Sequence, residues 1–280
     1  MKKIIFSILI ILGSLCAKGQ IYFQPLEFGL GLGGANYFGD LNQSYGMEYF
    51  RQSGSIFIKY NFGDYIALGA RGTYAHVGYS DSYSTNFFQQ QRNLDFKSNI
   101  FELSVMADFH FFRYQLEEPS YRYTPYVTIG LGLFYYDPYT HFDDVKYFLR
   151  PLGTEGQYLP QYADRQYEKT AVSFPMGLGV KYWVTKGLTF GAEVIHRMTT
   201  TDYLDDVSTT YVGIDKFPKD ISSPYPTPAS QLQDRSQEIR SAPIGIEGRQ
   251  RGISSTRDQF FTAQLYLSLR LPTYKCPDNR

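Results

Sequence analysis

The chain is poor in several features that would assign its class early. It carries two cysteines in 280 residues. Removing a leader that contains Cys16 would leave Cys276 alone, so no internal disulfide framework can hold the mature protein together. Net charge is absent: 27 Lys and Arg balance 27 Asp and Glu. A nucleic-acid binder needs a basic surplus to displace counterions, so that class is set aside. Long apolar runs are missing too. The one sustained stretch, Ile4 to Leu12, is broken by Ser7 and falls far short of the ~20 residues of a membrane helix. A helical membrane bundle is excluded.

What is abundant points elsewhere. There are 26 Tyr, 22 Phe and 25 Gly. The aromatic residues favour strands, and glycine suits tight turns and crowded pleats. The N-terminus reads as an export signal: Met1-Lys2-Lys3 is basic, Ile4 to Leu12 is apolar, and Ala17-Lys18-Gly19 places small residues where a signal peptidase reads them. Residues 1–19 are therefore expected to be a signal peptide. A lipidated Cys16 would need a small residue before it, where Leu15 stands.

The hydrophobic period is two almost everywhere. Leu26, Phe28, Leu30 and Leu32 alternate with Glu27, Gly29, Gly31 and Gly33. The clearest run sets Phe261, Ala263, Leu265, Leu267, Leu269 and Leu271 against Thr262, Gln264, Tyr266, Ser268 and Arg270. Similar runs start near Ser55, Ile66, Glu102, Val127, Val172 and Leu188, which makes eight. Their connections alternate in length. Short ones fall at 63–64, 115–122 and 185–187; long ones fall near 39–53, 80–98, 137–169 and 200–257. Outer-membrane barrels pair short periplasmic turns with longer external loops in this way. A soluble sandwich has no reason to gather its long loops at one end, and its exposed apolar rows would invite aggregation. The expected fold is all-β: an eight-stranded antiparallel transmembrane β-barrel over 20–271, in the cell outer membrane, with a periplasmic tail at 272–280. Tyr60, Tyr74, Tyr123, Tyr135, Tyr182 and Trp183 lie near strand ends and fit interfacial girdles. Pro175, inside the sixth run, is expected to require a bulge.

Eight strands enclose a space that side chains can fill, so an open pore is not expected. The inward rows carry Glu27, Lys59, Arg71, Glu102, Asp108, Lys181, Glu193 and Arg270, with His110 beside them. Opposite charges in a confined interior are tolerable when paired, and they read as an ionic plug. Catalysis would need a nucleophile or base beside an orienting partner. His76 and His196 lie near external strand ends, with Ser80, Asp81 or Arg197 as possible neighbours, but no Ser-His-acid set emerges and no enzyme is expected. Asp202, Asp205 and Asp206 match no calcium loop and read as a solvated loop face. The prolines at 218, 224, 226 and 228 mark Phe217 to Pro228 as an extended loop within a long external segment. No cofactor or metal is expected, and the partner implied by the pattern is membrane lipid.

Three local patterns carry a family resemblance. Gly33-Gly34-Ala35-Asn36-Tyr37-Phe38-Gly39-Asp40-Leu41-Asn42, following Glu27-Phe28-Gly29-Leu30, is one. Thr201-Asp202-Tyr203-Leu204-Asp205-Asp206-Val207-Ser208-Thr209-Thr210-Tyr211 is the second, and Arg249-Gln250-Arg251-Gly252 the third. Together they resemble the PorG-type barrels of Bacteroidota, small outer-membrane components of the type IX secretion system that also supports gliding motility in some members. The resemblance implies an anchoring role without catalysis. Its implied partners are a periplasmic ring lipoprotein and that lipoprotein's companion subunit, met by the short turns and the C-terminal tail. The insertion near 212–248 and the polar tail depart from the pattern. They leave room for an alternative, a surface adhesion or ligand-binding barrel acting through loops 137–169 and 200–257. In this setting Cys276 falls in an oxidising periplasm, where it would form an intermolecular disulfide to the ring lipoprotein or remain a free thiol.

Overall fold

The computed structural model describes residues 26–113, 122–185, 187–218 and 227–270. The expected signal peptide with Cys16, most of the 115–122 turn, and the tail with Cys276 lie outside the described residues. Alternating residues build the long strands β1 (Leu26–Phe38), β2 (Arg51–Phe62), β3 (Ile66–Ser80), β4 (Asp95–His110) and β5 (Tyr123–Tyr135). A short hairpin of β6 (Tyr139–Phe142) and β7 (Val145–Phe148) follows. The chain then re-enters the sheet with β8 (Thr170–Thr185), β9 (Leu188–Thr199) and β10 (Gln259–Arg270). The neighbours run β3-β2-β1-β10-β9-β8-β5-β4, and β3 also pairs with β4. The sheet is a closed antiparallel barrel of eight strands, and closure leaves it no free edge. The hairpin joins it by a single partner pair, Lys97 with Tyr139.

The two rows of each strand separate as the alternation demands. Leu32, Ile56, Leu103, Leu133 and Leu178 point outward and are each more than 60% exposed. A continuous belt of such residues is a hazard in water and the required surface in a bilayer. The closed strands and this belt make the chain a transmembrane barrel of the outer membrane. Tyr123 faces Tyr182 across neighbouring strands near the short-turn end, while Tyr74, Phe101 and Tyr135 form one row toward the long-loop end. These rows mark the two interfaces. The inward row alternates glycine with large rings. The Phe57 ring occupies the space a side chain at Gly29 would take, and the Tyr266 ring does the same at Gly191. The rings fill the tube because those glycines leave it open.

Two expectations about the strands are corrected. Pro175 causes no bulge. The β5–β8 register is the same on both sides of it, Ile129 with Met176 and Gly132 with Ser173, and only the pairings between them are skipped. Proline lacks one donor, and losing local pairs costs less than shifting a whole strand whose faces are lipid and lumen. The irregularity sits instead between Trp183 and Thr185. The loop expected near 80–98 is also shorter, because β3 runs to Ser80 and β4 already starts at Asp95. Above the belt these extensions are buried on both faces by the folded loops. Tyr37, Leu41, Val77, Phe96, Leu204, Leu232 and Phe260 belong to one buried cluster there. The loops form a cap with its own apolar core. Within it Pro228 opens a short helix, Pro228–Gln233, capped by Thr227, rather than ending an extended loop.

Candidate functional site: a sealed lumen under a folded cap

The inward parity of the strands delivers Glu27, Lys59, Arg71, Glu102, Asp108, Lys181, Glu193 and Arg270 to the interior, and none of them is more than 5% exposed. They lie in tiers. At the short-turn end Lys59 donates to Asp108 at 2.6 Å, and Lys181 lies 3.5 Å from both Asp108 and Glu27. Glu27 also accepts from Ser268 at 2.7 Å and meets Arg270 at 3.5 Å. His110 is buried in this tier against the Tyr126 ring. In the middle tier both terminal nitrogens of Arg71 reach Glu193, the second at 2.9 Å, and the Tyr126 hydroxyl donates to the same carboxylate at 2.7 Å. The guanidinium lies 5.0 Å from the centre of the Phe57 ring.

A ninth ion completes the upper tier. Arg197 Nε donates to Glu102 at 2.7 Å, Ser173 donates to Glu102 at 2.6 Å, and Arg197 reaches Thr262 at 2.9 Å. Sequence reading left Arg197 at the rim, as a possible neighbour of His196. Parity was the available signal: Arg197 stands four residues after the inward Glu193 on one strand, and so shares its face. Buried charges of both signs, hydrogen-bonded tier upon tier, close the tube.

The histidines considered for catalysis have other partners. His76 lies 2.7 Å from Asn99 and 3.2 Å from the Tyr49 hydroxyl, and His196 lies 2.7 Å from Gln259. Ser80 meets Ser82, and Asp81 accepts two bonds from Arg92, each at 2.7 Å. The structure brings none of these histidines onto a serine and a carboxylate.

Asp202, Asp205 and Asp206 are not a solvated face, which corrects the sequence reading: they are 3%, 1% and 0% exposed. The three motif segments that are far apart in sequence meet here. Arg251 donates to Glu155 at 3.0 Å and to the Asp206 carbonyl at 2.6 Å. Glu155 accepts from the Ser208 amide at 2.8 Å and the Thr209 hydroxyl at 2.8 Å. Both Asp40 oxygens accept from the Ile253 amide at 3.0 Å. Asp206 accepts from the Thr154 hydroxyl and, at 2.6 Å, from Tyr167. Among the described residues no group of three or more acidic, histidine or cysteine side chains is placed to hold a metal ion.

The Tyr37 hydroxyl lies 2.6 Å from an Asp205 oxygen and 2.9 Å from an Asp258 oxygen. It owns one hydrogen and can donate to one of them, so the two carboxyls are best satisfied when they share a further proton. Burial pushes both well above the usual carboxylate range, followed by repulsion from Asp258 and Asp40 on Asp205 and from Asp40 and Asp202 on Asp258. Burial likewise raises Asp202 to about 7 and Asp40 and Asp206 to about 6.

A family model described as "Domain of unknown function (DUF6089)" matches residues 2–212. The chain belongs to the DUF6089 family. The match takes in β1 through β9 and the first two motif segments; Arg251 and the closing strand β10 lie beyond it. No curated protein matches the chain by sequence. Among solved structures, this DUF6089 member is similar to Neisserial surface protein A (10% identity, TM-score 0.41, 88% of this chain and 97% of that one). It is similar to Ail of Yersinia pestis, solved with the heparin analogue sucrose octasulfate (9% identity, TM-score 0.39, 89% and 99%). The N-terminal β-barrel domain of Pseudomonas aeruginosa OprF is a third (11% identity, TM-score 0.38, 89% and 98%).

Proposed function

We propose that this DUF6089 barrel is a non-enzymatic anchor of the type IX secretion system, holding a periplasmic ring lipoprotein and its companion subunit to the outer membrane. The observation that carries an anchoring role is the lumen: paired ions and rings fill it from Lys59–Asp108 up to Arg197–Glu102, so the barrel offers fixed position rather than passage. Assignment to type IX secretion rests on the resemblance of the segments around Asp40, Thr201 to Tyr211, and Arg251, together with the short turns that face the periplasm. The Cys276 thiol, in the tail, is the proposed point of an intermolecular disulfide to the ring lipoprotein. Crosslinking in intact cells followed by capture of the barrel tests this reading. Recovery of periplasmic ring subunits supports it, and their absence from a capture that retains outer-membrane lipid refutes it.

A second reading has its own support, the folded cap. Long loops that pack around Leu204, Leu232 and Phe260 present a rigid outer surface, which suits a receptor or adhesin. Shortening loops 137–169 and 200–257 separates the two. Secretion survives in an anchor, whereas surface binding is lost in a receptor.

A further inference from the structure

Where β5, β8 and β9 leave the barrel, the cap does not close completely. A polar pocket of about 230 Å³ opens there. Thr170, which pairs with Tyr135 of the outer aromatic row, is on its lining, so the pocket lies at the height of the outer interface. One wall is a slab of tyrosines. Tyr167 stacks on Tyr203 at 4.5 Å and on Tyr136 at 6.3 Å, each pair 7° from parallel. The Tyr136 hydroxyl is hydrogen-bonded to the Thr201 hydroxyl at 2.8 Å, and its amide donates to the Lys169 carbonyl at 2.8 Å. These bonds hold the wall in place.

Asp202 lines the same pocket and is 3% exposed. One of its oxygens accepts from the Ser208 hydroxyl at 2.6 Å, and the other meets no donor among the described residues. Asp40 and Glu155 add negative charge around it. Arg257, the one described cation on the lining, is exposed and enters none of the ion pairs among the described residues. It acts on Asp202 at a distance and supplies no hydrogen bond. A carboxylate so enclosed is costly unless a cation pairs with it. With one oxygen taken by Ser208, it cannot receive the two-pronged fork of a guanidinium, but it suits a single N–H of an ammonium. The Thr200 hydroxyl, also on the lining, can accept another of the ammonium hydrogens. A metal ion would need more ligands than the described residues gather here.

We propose that this pocket binds a primary ammonium group, with Asp202 as its counter-ion and the Tyr136–Tyr167–Tyr203 wall packing against the attached carbon chain. Two sources bring that chemistry to this height: the ethanolamine headgroup of a membrane lipid, and a soluble amine arriving from outside the cell.

The test uses the full chain. Ethanolamine and choline are the soluble probes, titrated by calorimetry in detergent micelles. Phosphatidylethanolamine and phosphatidylcholine are the lipid probes, offered in equal amounts in nanodiscs and counted by native mass spectrometry. Choline and its lipid carry the same positive charge but no N–H to donate. The wild type should bind ethanolamine at least about tenfold more tightly than choline, the factor for one hydrogen bond to a charged group. Asp202→Asn keeps an acceptor for Ser208, removes the charge, and should lower ethanolamine to the choline level. Its folding is checked by the gel shift of the barrel and the protease resistance of the cap. Selective retention of phosphatidylethanolamine, lost in Asp202→Asn, assigns the ammonium to lipid. Equal retention of the two lipids beside selective ethanolamine binding assigns it to a soluble amine. The proposal is overturned if the wild type binds ethanolamine no better than choline, or if folded Asp202→Asn binds it as tightly as the wild type.

Discussion

Glu193→Leu probes the closed lumen most directly. Glu193 receives both terminal nitrogens of Arg71 and the hydroxyl of Tyr126. Without it the guanidinium keeps a 3.4 Å contact to Ser55 and the face of Phe57, at a site 1% exposed. Breaking a buried pair by removing one partner costs about 3 to 5 kcal/mol, because an uncompensated charge stays behind in a poorly solvated place. That is a change of roughly two to four powers of ten in the folding equilibrium. Arg71→Met/Glu193→Leu removes both charges and replaces them with side chains of comparable bulk. It should return to within about 1 kcal/mol of the wild type or exceed it. Both can be read from reversible denaturant unfolding in micelles, with Trp183, the sole tryptophan, as reporter. A single variant that loses less than about 1 kcal/mol, as an exposed pair would, means that water reaches Arg71 and the lumen is not sealed.

Other outcomes follow from the same geometry. The cap should loosen as pH rises. Asp202, Asp40 and Asp206 are raised from ordinary values near 4 to about 7, 6 and 6, so they stabilise the fold fully below pH ~4 and lose that contribution toward pH 7. Amide exchange in 201–210 and 251–258, corrected for intrinsic rates, should be faster at pH 8 than at pH 5, and the reverse order contradicts the assignment. Arg92→Met should expose the cap loops to protease while the barrel still shows its gel shift, since Asp81 would be left buried without its guanidinium. Gly252→Ala should cost the cap about 1 to 3 kcal/mol in thermal unfolding, because the new methyl group would collide with Asp40 and lie 2.7 Å from the Ser208 backbone. In planar bilayers the wild type should pass no steady current, and stepwise conductance at neutral pH would remove the plug.

The barrel was legible because its signal is local and repeated. Leu, Ile and Phe on every second residue imply one apolar face, and the short and long connections imply which ends meet. The eight ions assigned inward follow from that parity alone, and Arg197 was missed where parity was not carried to the strand end. The cap was not legible. Asp202, Asp205 and Asp206 look solvated in a polar segment, and nothing beside them in the chain announces Tyr37 from β1 or Asp258 just before β10 as their partners.

By itself the chain determined strand period, the split between lipid and lumen faces, and the alternation of short and long connections, because these follow from local pattern along the chain. Tertiary structure alone decided which acid meets which base inside the tube, that the long loops share a core, and that Asp40, Asp206 and Arg251 meet. Those contacts join residues 45 to 243 positions apart, and only the closure of the sheet brings their strands and loops together.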